Sequence, residues 1–185
     1  MSSSQVSLPG FSSPSASTEV PLEMLSACHG RVQAQCTTLQ RLLRHMIHHG
    51  NDADARAAAT AVMRYFDLAA PHHHDDEEQD LFPALLQAAA GTDAVVAQAL
   101  TQRLRDEHRV LELRWQALRL ALTAVAEARA DRLDEQQALD FCDFYQQHIG
   151  LEEAELLPLA QRVLSDRQLD QIGRRMRERR GITNW

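Results

Sequence analysis

The chain has 185 residues, 44% of them apolar and 24% charged, enough for one domain with a buried core that needs no disulfide framework to hold it. With 19 basic against 26 acidic residues the formal charge is −7, which argues against a nucleic-acid binder that works by neutralising phosphates. Three cysteines with no CxxC pair exclude a zinc ribbon and a thioredoxin-type motif. No apolar run of about 18 residues is present to span a membrane. The N-terminus lacks the basic-then-apolar pattern of a secretory signal, so a cytoplasmic location is expected.

Residues 1–20 are rich in Ser, with Pro9, Gly10 and Pro14, and predict a disordered tail that buries too little apolar surface to offset its ordering entropy. From Pro21 the pattern turns helical. Leu25, His29, Val32, Cys36, Leu39 and Leu43 alternate spacings of four and three, one apolar stripe of a helix over roughly 21–48 that stops at Gly50. A second helix, roughly 53–82, starts at a cap from Asp52 or Asp54 and carries Val62, Phe66, Ala69, His73, Glu77 and Leu81. Pro71 predicts a kink in it, and Pro83 its end or a second bend.

A third helix begins after a cap at Thr92 or Asp93, with Leu104, His108, Leu111, Trp115, Leu118, Leu122 and Val125 on its stripe. A fourth, roughly 134–157, carries Phe141, Tyr145, His148, Glu152 and Leu156 and is expected to close at Pro158. A last amphipathic piece, about 166–180, sets Leu169, Ile172 and Met176 against a face of Arg. The expected fold is all-α: an antiparallel up-down four-helix bundle over 21–162, with the C-terminal helix of 163–185 packed on it.

The chain echoes itself. Leu25-x3-His29 matches Leu104-x3-His108, and His73-x3-Glu77-Glu78-x2-Leu81-Phe82-Pro83 matches His148-x3-Glu152-Glu153-x2-Leu156-Leu157-Pro158. Residues i and i+4 share a helix face, so His73 and Glu77 point at one locus, as do His148 and Glu152. With His29 and His108 on the other two core stripes, a metal-free bundle would bury four imidazoles and two carboxylates. That is expensive unless each finds a partner. Two divalent cations would satisfy all six, with each carboxylate bridging both ions. A lone stripe His, or one HxxxE pair, is more often structural; the joint, internally repeated pattern is what points to a dimetal site.

This arrangement, H…HxxxE…H…HxxxE with EExxLFP-like endings, resembles the hemerythrin-like (HHE cation-binding) domain over about 22–160. The resemblance implies a non-haem centre of two iron ions, oxo- or hydroxo-bridged, held by His29, His73, Glu77, His108, His148 and Glu152. It also implies a small diatomic or peroxide ligand, and a role in binding or sensing O2, NO or peroxide or in handling iron. Manganese or zinc suits the same donors. The alternative is a di-iron enzyme that reduces peroxide or NO in a stress response. The oxygen carriers of the family have a fifth His, but the positions four away from His108 are Leu104 and Glu112. The carriers also use Asp at i+5 where this chain has Glu152 at i+4. Four His and two Glu are closer to the repair-of-iron-centres branch.

Ferritin-like sites place Glu before His at i+3, and no HExxH is present; both readings are rejected. His72 and His74 should rotate away on either side of His73 into solvent or behind the ligands. His74 is the better reserve ligand, since an iron-sensing relative has an extra acidic ligand there. His45, His48 and His49 are expected on the surface. Asp75, Asp76, Glu78 and Asp80 form an acidic cluster, either a solvated face or a cation entry path. Tyr145 is expected in the core, within reach of a ligand. Cys28, beside His29, is expected to face a neighbouring helix or solvent.

Overall fold

A computed structural model describes residues 20–182. The Ser-rich stretch therefore lies, apart from Val20, outside the described residues. Helix α1 spans Pro21–His49, α2 Ala53–Asp75, α3 Phe82–Ala88, α4 Thr92–Ala126, α5 Glu135–Leu151, α6 Leu157–Val163 and α7 Asp166–Arg179. Two π-helical segments, Asp76–Leu81 and Glu152–Leu156, join α2 to α3 and α5 to α6 without a break.

The four long rods form a ring in which α1 packs on α2, α2 on α4, α4 on α5 and α5 back on α1. Two apolar clusters fill the interior. One runs from Val32 to Met46, Ala55 to Ala70, Leu111 to Val125 and Leu133 to Ile149. The other gathers Met24, Leu25, Leu81, Phe82, Leu85, Leu100, Leu104, Leu156 and Leu159. Each rod passes from one cluster to the other, and successive rods do so in opposite senses, which makes the bundle antiparallel and up-down. The crossings fall near His29, between Ala70 and Leu81, near His108, and between Ile149 and Leu156. A polar layer thus separates two apolar ones.

Local chemistry sets the ends. The Asp52 side chain accepts from the Ala55 N–H as the cap of α2. His45 also reaches Asp52 at 2.9 Å, so it ties the end of α1 to that cap instead of standing free on the surface. Asn51 donates to the carbonyls of Val125 and Ala130 at 2.9 and 2.6 Å, which clamps the α1–α2 turn to the α4–α5 turn. Gly50 ends α1 at φ 70°, backbone that favours glycine.

Two expectations about helix ends need correction. Helix α4 starts at Thr92 on Gly91, with no side-chain cap from Thr92 or Asp93. Neither Pro83 nor Pro158 closes its helix: α3 runs on to Ala88 and α6 to Val163. The reason is the preceding π turn. The N–H groups of Phe82 and Leu157 bond to carbonyls five residues back, at Glu77 and Glu152. Proline then falls where the register returns to the α pattern, and its missing N–H breaks no bond that the wide turn had not already displaced.

Helix α7 folds back onto the bundle over the first π segment and α1. Its cap is a capping box, with the Ser165 N–H donating to the Gln168 side chain at 3.0 Å. Its arginines define its role. Arg179 and Arg180 both pair with Asp76, the latter at 2.5 Å, and Arg179 and Arg175 reach Asp80 at 2.8 and 3.0 Å. Asp76 and Asp80 are therefore buried, ion-paired anchors. They are neither a solvated face nor an entry path, as the sequence alone had suggested.

Candidate metal centre

The polar layer is built by four rods, each supplying an imidazole. His29, His73, His108 and His148 are all buried, and Glu77 and Glu152 are completely so. Each π segment contains or begins at the carboxylate that follows its histidine. Within these wide turns the carboxylate and the histidine four residues before it meet, Glu77 Oε1 with His73 Nε2 and Glu152 Oε1 with His148 Nε2.

Glu77 and Glu152 each face two ways. Glu77 Oε1 lies 3.8 Å from His73 Nε2, and its Oε2 lies 3.3 Å from His108 Nε2. Glu152 Oε2 lies 3.0 Å from His29 Nε2, and its Oε1 lies 2.9 Å from His148 Nε2. One oxygen of each carboxylate thus belongs with the His29–His73 pair and the other with the His108–His148 pair. The donor atoms of His29, His73, Glu77 and Glu152 lie within 4.8 Å of one another, and so do those of Glu77, His108, His148 and Glu152. Two overlapping four-donor groups, each able to hold a cation, share both carboxylates.

These approaches are short, yet they are not hydrogen bonds. All four carboxylate oxygens, and Nε2 of His108 and of His148, lack a hydrogen-bond partner. His29 Nε2 and His73 Nε2 meet at 3.2 Å. Lone pairs converging on a space that offers few protons are what a cation requires and what an apolar core would never retain. Electrostatics agree. Burial opposes charge on His29, but Glu152 outweighs it and lifts the imidazole up to about 9. Burial opposes charge on His108 too, but Glu152, Glu77 and Glu78 raise it up to about 10. Burial, then Glu152 opposite, pushes Glu77 up to about 7. The donor set draws in positive charge.

Behind the imidazoles stand further carboxylates. Nδ1 of His29 meets Glu153 at 2.6 Å, Nδ1 of His108 meets Glu78 at 2.7 Å, and Nδ1 of His148 meets Glu107 at 2.9 Å. A carboxylate on Nδ1 fixes the ring and leaves the Nε2 lone pair aimed inward. Sequence reading missed these three residues, although the Glu77-Glu78 and Glu152-Glu153 doublets signalled two of them. In each doublet the first Glu enters the centre and the second braces the histidine of the opposite hairpin. His73 breaks the pattern: its Nδ1 has no partner, and the position equivalent to Glu107 is Cys28. Cys28 is buried and accepts from Arg31 at 2.9 Å. Replacing Glu107 or Glu153 by Ala is expected to weaken metal binding by roughly 10–100-fold, read by competition against a chelator.

Of the two expectations for His74, the structure puts it on the side of the reserve ligand: it does not turn away from the centre. Its ring stacks on that of His108 with centroids 4.0 Å apart, its Nε2 lies 3.5 Å from the Tyr145 hydroxyl, and it forms a third donor group with His108 and His148. It also lines a cavity of about 570 Å³ between α2 and α4, with Glu78, His108, Trp115 and Tyr145. His72 stays outside the donor groups.

The model of the hemerythrin HHE cation-binding domain matches residues 20–160. The chain belongs to the hemerythrin HHE cation-binding family. A further similarity, 33% identity over 162 residues covering 88% of this chain and 91% of the relative, is to an uncharacterized protein of Haemophilus influenzae. The hemerythrin match spans every helix that contributes to the centre and leaves out α7, so the arginine clamp on Asp76 and Asp80 lies beyond the matched segment. Cation binding is the property the family and the donor geometry share. Among the described residues no helix is long and apolar enough to cross a membrane.

Proposed function

We propose that this hemerythrin-family chain holds two iron ions in its polar layer and binds or senses a small ligand there: O2, NO or peroxide. The first ion is assigned to His29 and His73, the second to His108 and His148, with Glu77 and Glu152 bridging. The observation that carries the proposal is the pair of two-faced carboxylates, whose four oxygens divide evenly between the two histidine pairs. Imidazole with carboxylate and no thiolate suits iron; manganese and zinc accept the same donors.

His74 stands beside the second site, in a group of its own with His108 and His148, where it would be available as a third imidazole. When bound, an iron pair supplies Lewis-acidic, redox-active positions. The residues supply the rest. The carboxylates on Nδ1 hold the rings, the apolar clusters on either side keep bulk water out, and Tyr145 stands ready to donate a hydrogen bond toward His74. The cavity that reaches His74 and His108 favours a second reading, in which the same centre turns over peroxide or NO.

Aerobic purification followed by elemental analysis and a visible spectrum tests the proposal. Two irons per chain with bands of an oxo-bridged ferric pair support it. A folded, colourless protein that takes up no iron when reconstituted overturns it. Steady-state consumption of peroxide or NO, as against a single stoichiometric binding event, selects the enzymatic reading.

A further inference from the structure

Below the polar layer, α1 and α5 bring together two thiols that the metal centre does not use. Cys36 and Cys142 are both buried and both reduced. The Cys142 Sγ–H donates to the Cys36 carbonyl oxygen at 3.9 Å, which sets the two residues side by side across the α1–α5 seam. Both line a cavity of about 260 Å³ whose walls include Gln33, Thr37, Gln146 and Tyr145. That space admits a molecule the size of hydrogen peroxide and offers it polar groups. The third thiol, Cys28, is not among the residues lining that cavity and is paired with Arg31.

We propose that Cys36 and Cys142 are a peroxide-oxidised dithiol that closes to an intramolecular disulfide and staples α1 to α5. Cys142 is the attacking sulfur. Its sulfur points at the Cys36 backbone inside the shared cavity, and the neighbouring Cys36 thiol holds its pKa below the usual thiol value while that of Cys36 is held above it. The Cys142 sulfur attacks one oxygen of hydrogen peroxide. The O–O bond breaks, the second oxygen leaves as water with the thiol proton, and Cys142 becomes a sulfenic acid. The Cys36 sulfur then attacks the Cys142 sulfur. The S–S bond forms, the S–O bond breaks, and a second water leaves with the Cys36 proton. In sum, two thiols and one peroxide give one disulfide and two waters. The bond joins residues 106 apart in sequence, so it removes a large loop-closure entropy from the unfolded chain and stabilises the oxidised form.

The full-length reduced protein is treated with one equivalent of hydrogen peroxide, unfolded in N-ethylmaleimide, and mapped by mass spectrometry without reductant. A Cys36–Cys142 linked peptide with Cys28 alone alkylated is the expected result. The oxidised protein should melt at a higher temperature, and dithiothreitol should reverse the shift. Cys142→Ala should slow the loss of the Cys36 thiol more than tenfold. Three alkylated thiols after excess peroxide, oxidation of Cys28 first, or a sulfinic acid with no cross-link would each overturn the proposal. Mapping the unsubstituted chain makes the result independent of how the variant folds.

Discussion

A His73→Leu, His148→Leu double variant is expected to fall from two bound ions per chain to none, and to lose the stabilisation that metal gives the parent. The two substitutions remove one imidazole from each four-donor site. They also take two buried polar rings out of the layer between the apolar clusters, where each is completely or nearly enclosed. The Glu77, Glu107 and Glu152 carboxylates that face these rings stay in place with fewer partners, so no gain in the metal-free state offsets the lost binding. With metal the parent recovers stability through binding linkage and the variant does not. Elemental analysis gives the stoichiometry, and urea denaturation with and without chelator gives both stabilities. Unchanged ion content would remove His73 and His148 from the site.

The second large effect lies at the α7 clamp. An Arg179→Gln, Arg180→Gln variant is expected to lose about 3–5 kcal/mol, because it leaves the fully buried Asp76 carboxylate without its guanidinium partners. Adding Asp76→Asn should recover part of the loss, since the buried charge goes with it. Asp76 immediately precedes Glu77 in the first π segment, so the same variant should bind metal more weakly, and the rescued one should regain only stability. Equal losses with and without Asp76→Asn would show that the arginines act through something other than this carboxylate.

The six donors were legible in the sequence because each obeys a rule that a helix enforces. Four lie on core stripes at the four-and-three spacing, and the two Glu follow their histidines at i+4. The echo between the two halves supplied the confidence that no single motif could. What the spacing hid was the π turn, since hydrogen bonding five residues back leaves no mark in hydrophobic periodicity. The prolines at 83 and 158 pointed to the right places but suggested helix ends instead of wide turns. His74 was legible only as a reserve ligand: its neighbour His73 takes the core stripe, and only α4 approaching with His108 gives the adjacent ring a partner. The bracing roles of Glu78, Glu107 and Glu153 were not legible because these residues stand beside the stripe, and what they meet depends on which helix faces them. The pairing of Asp76 and Asp80 with arginines about 100 residues away lay beyond any local pattern.

The central claim, a pair of cations shared by two carboxylates, is tested most directly by anomalous diffraction at the iron edge on crystals of the iron-reconstituted protein. Two peaks are expected inside the bundle, one in bonding contact with His29 and His73, the other with His108 and His148, and both with Glu77 and Glu152. A single peak in the layer, or iron found only on surface acids, would contradict it.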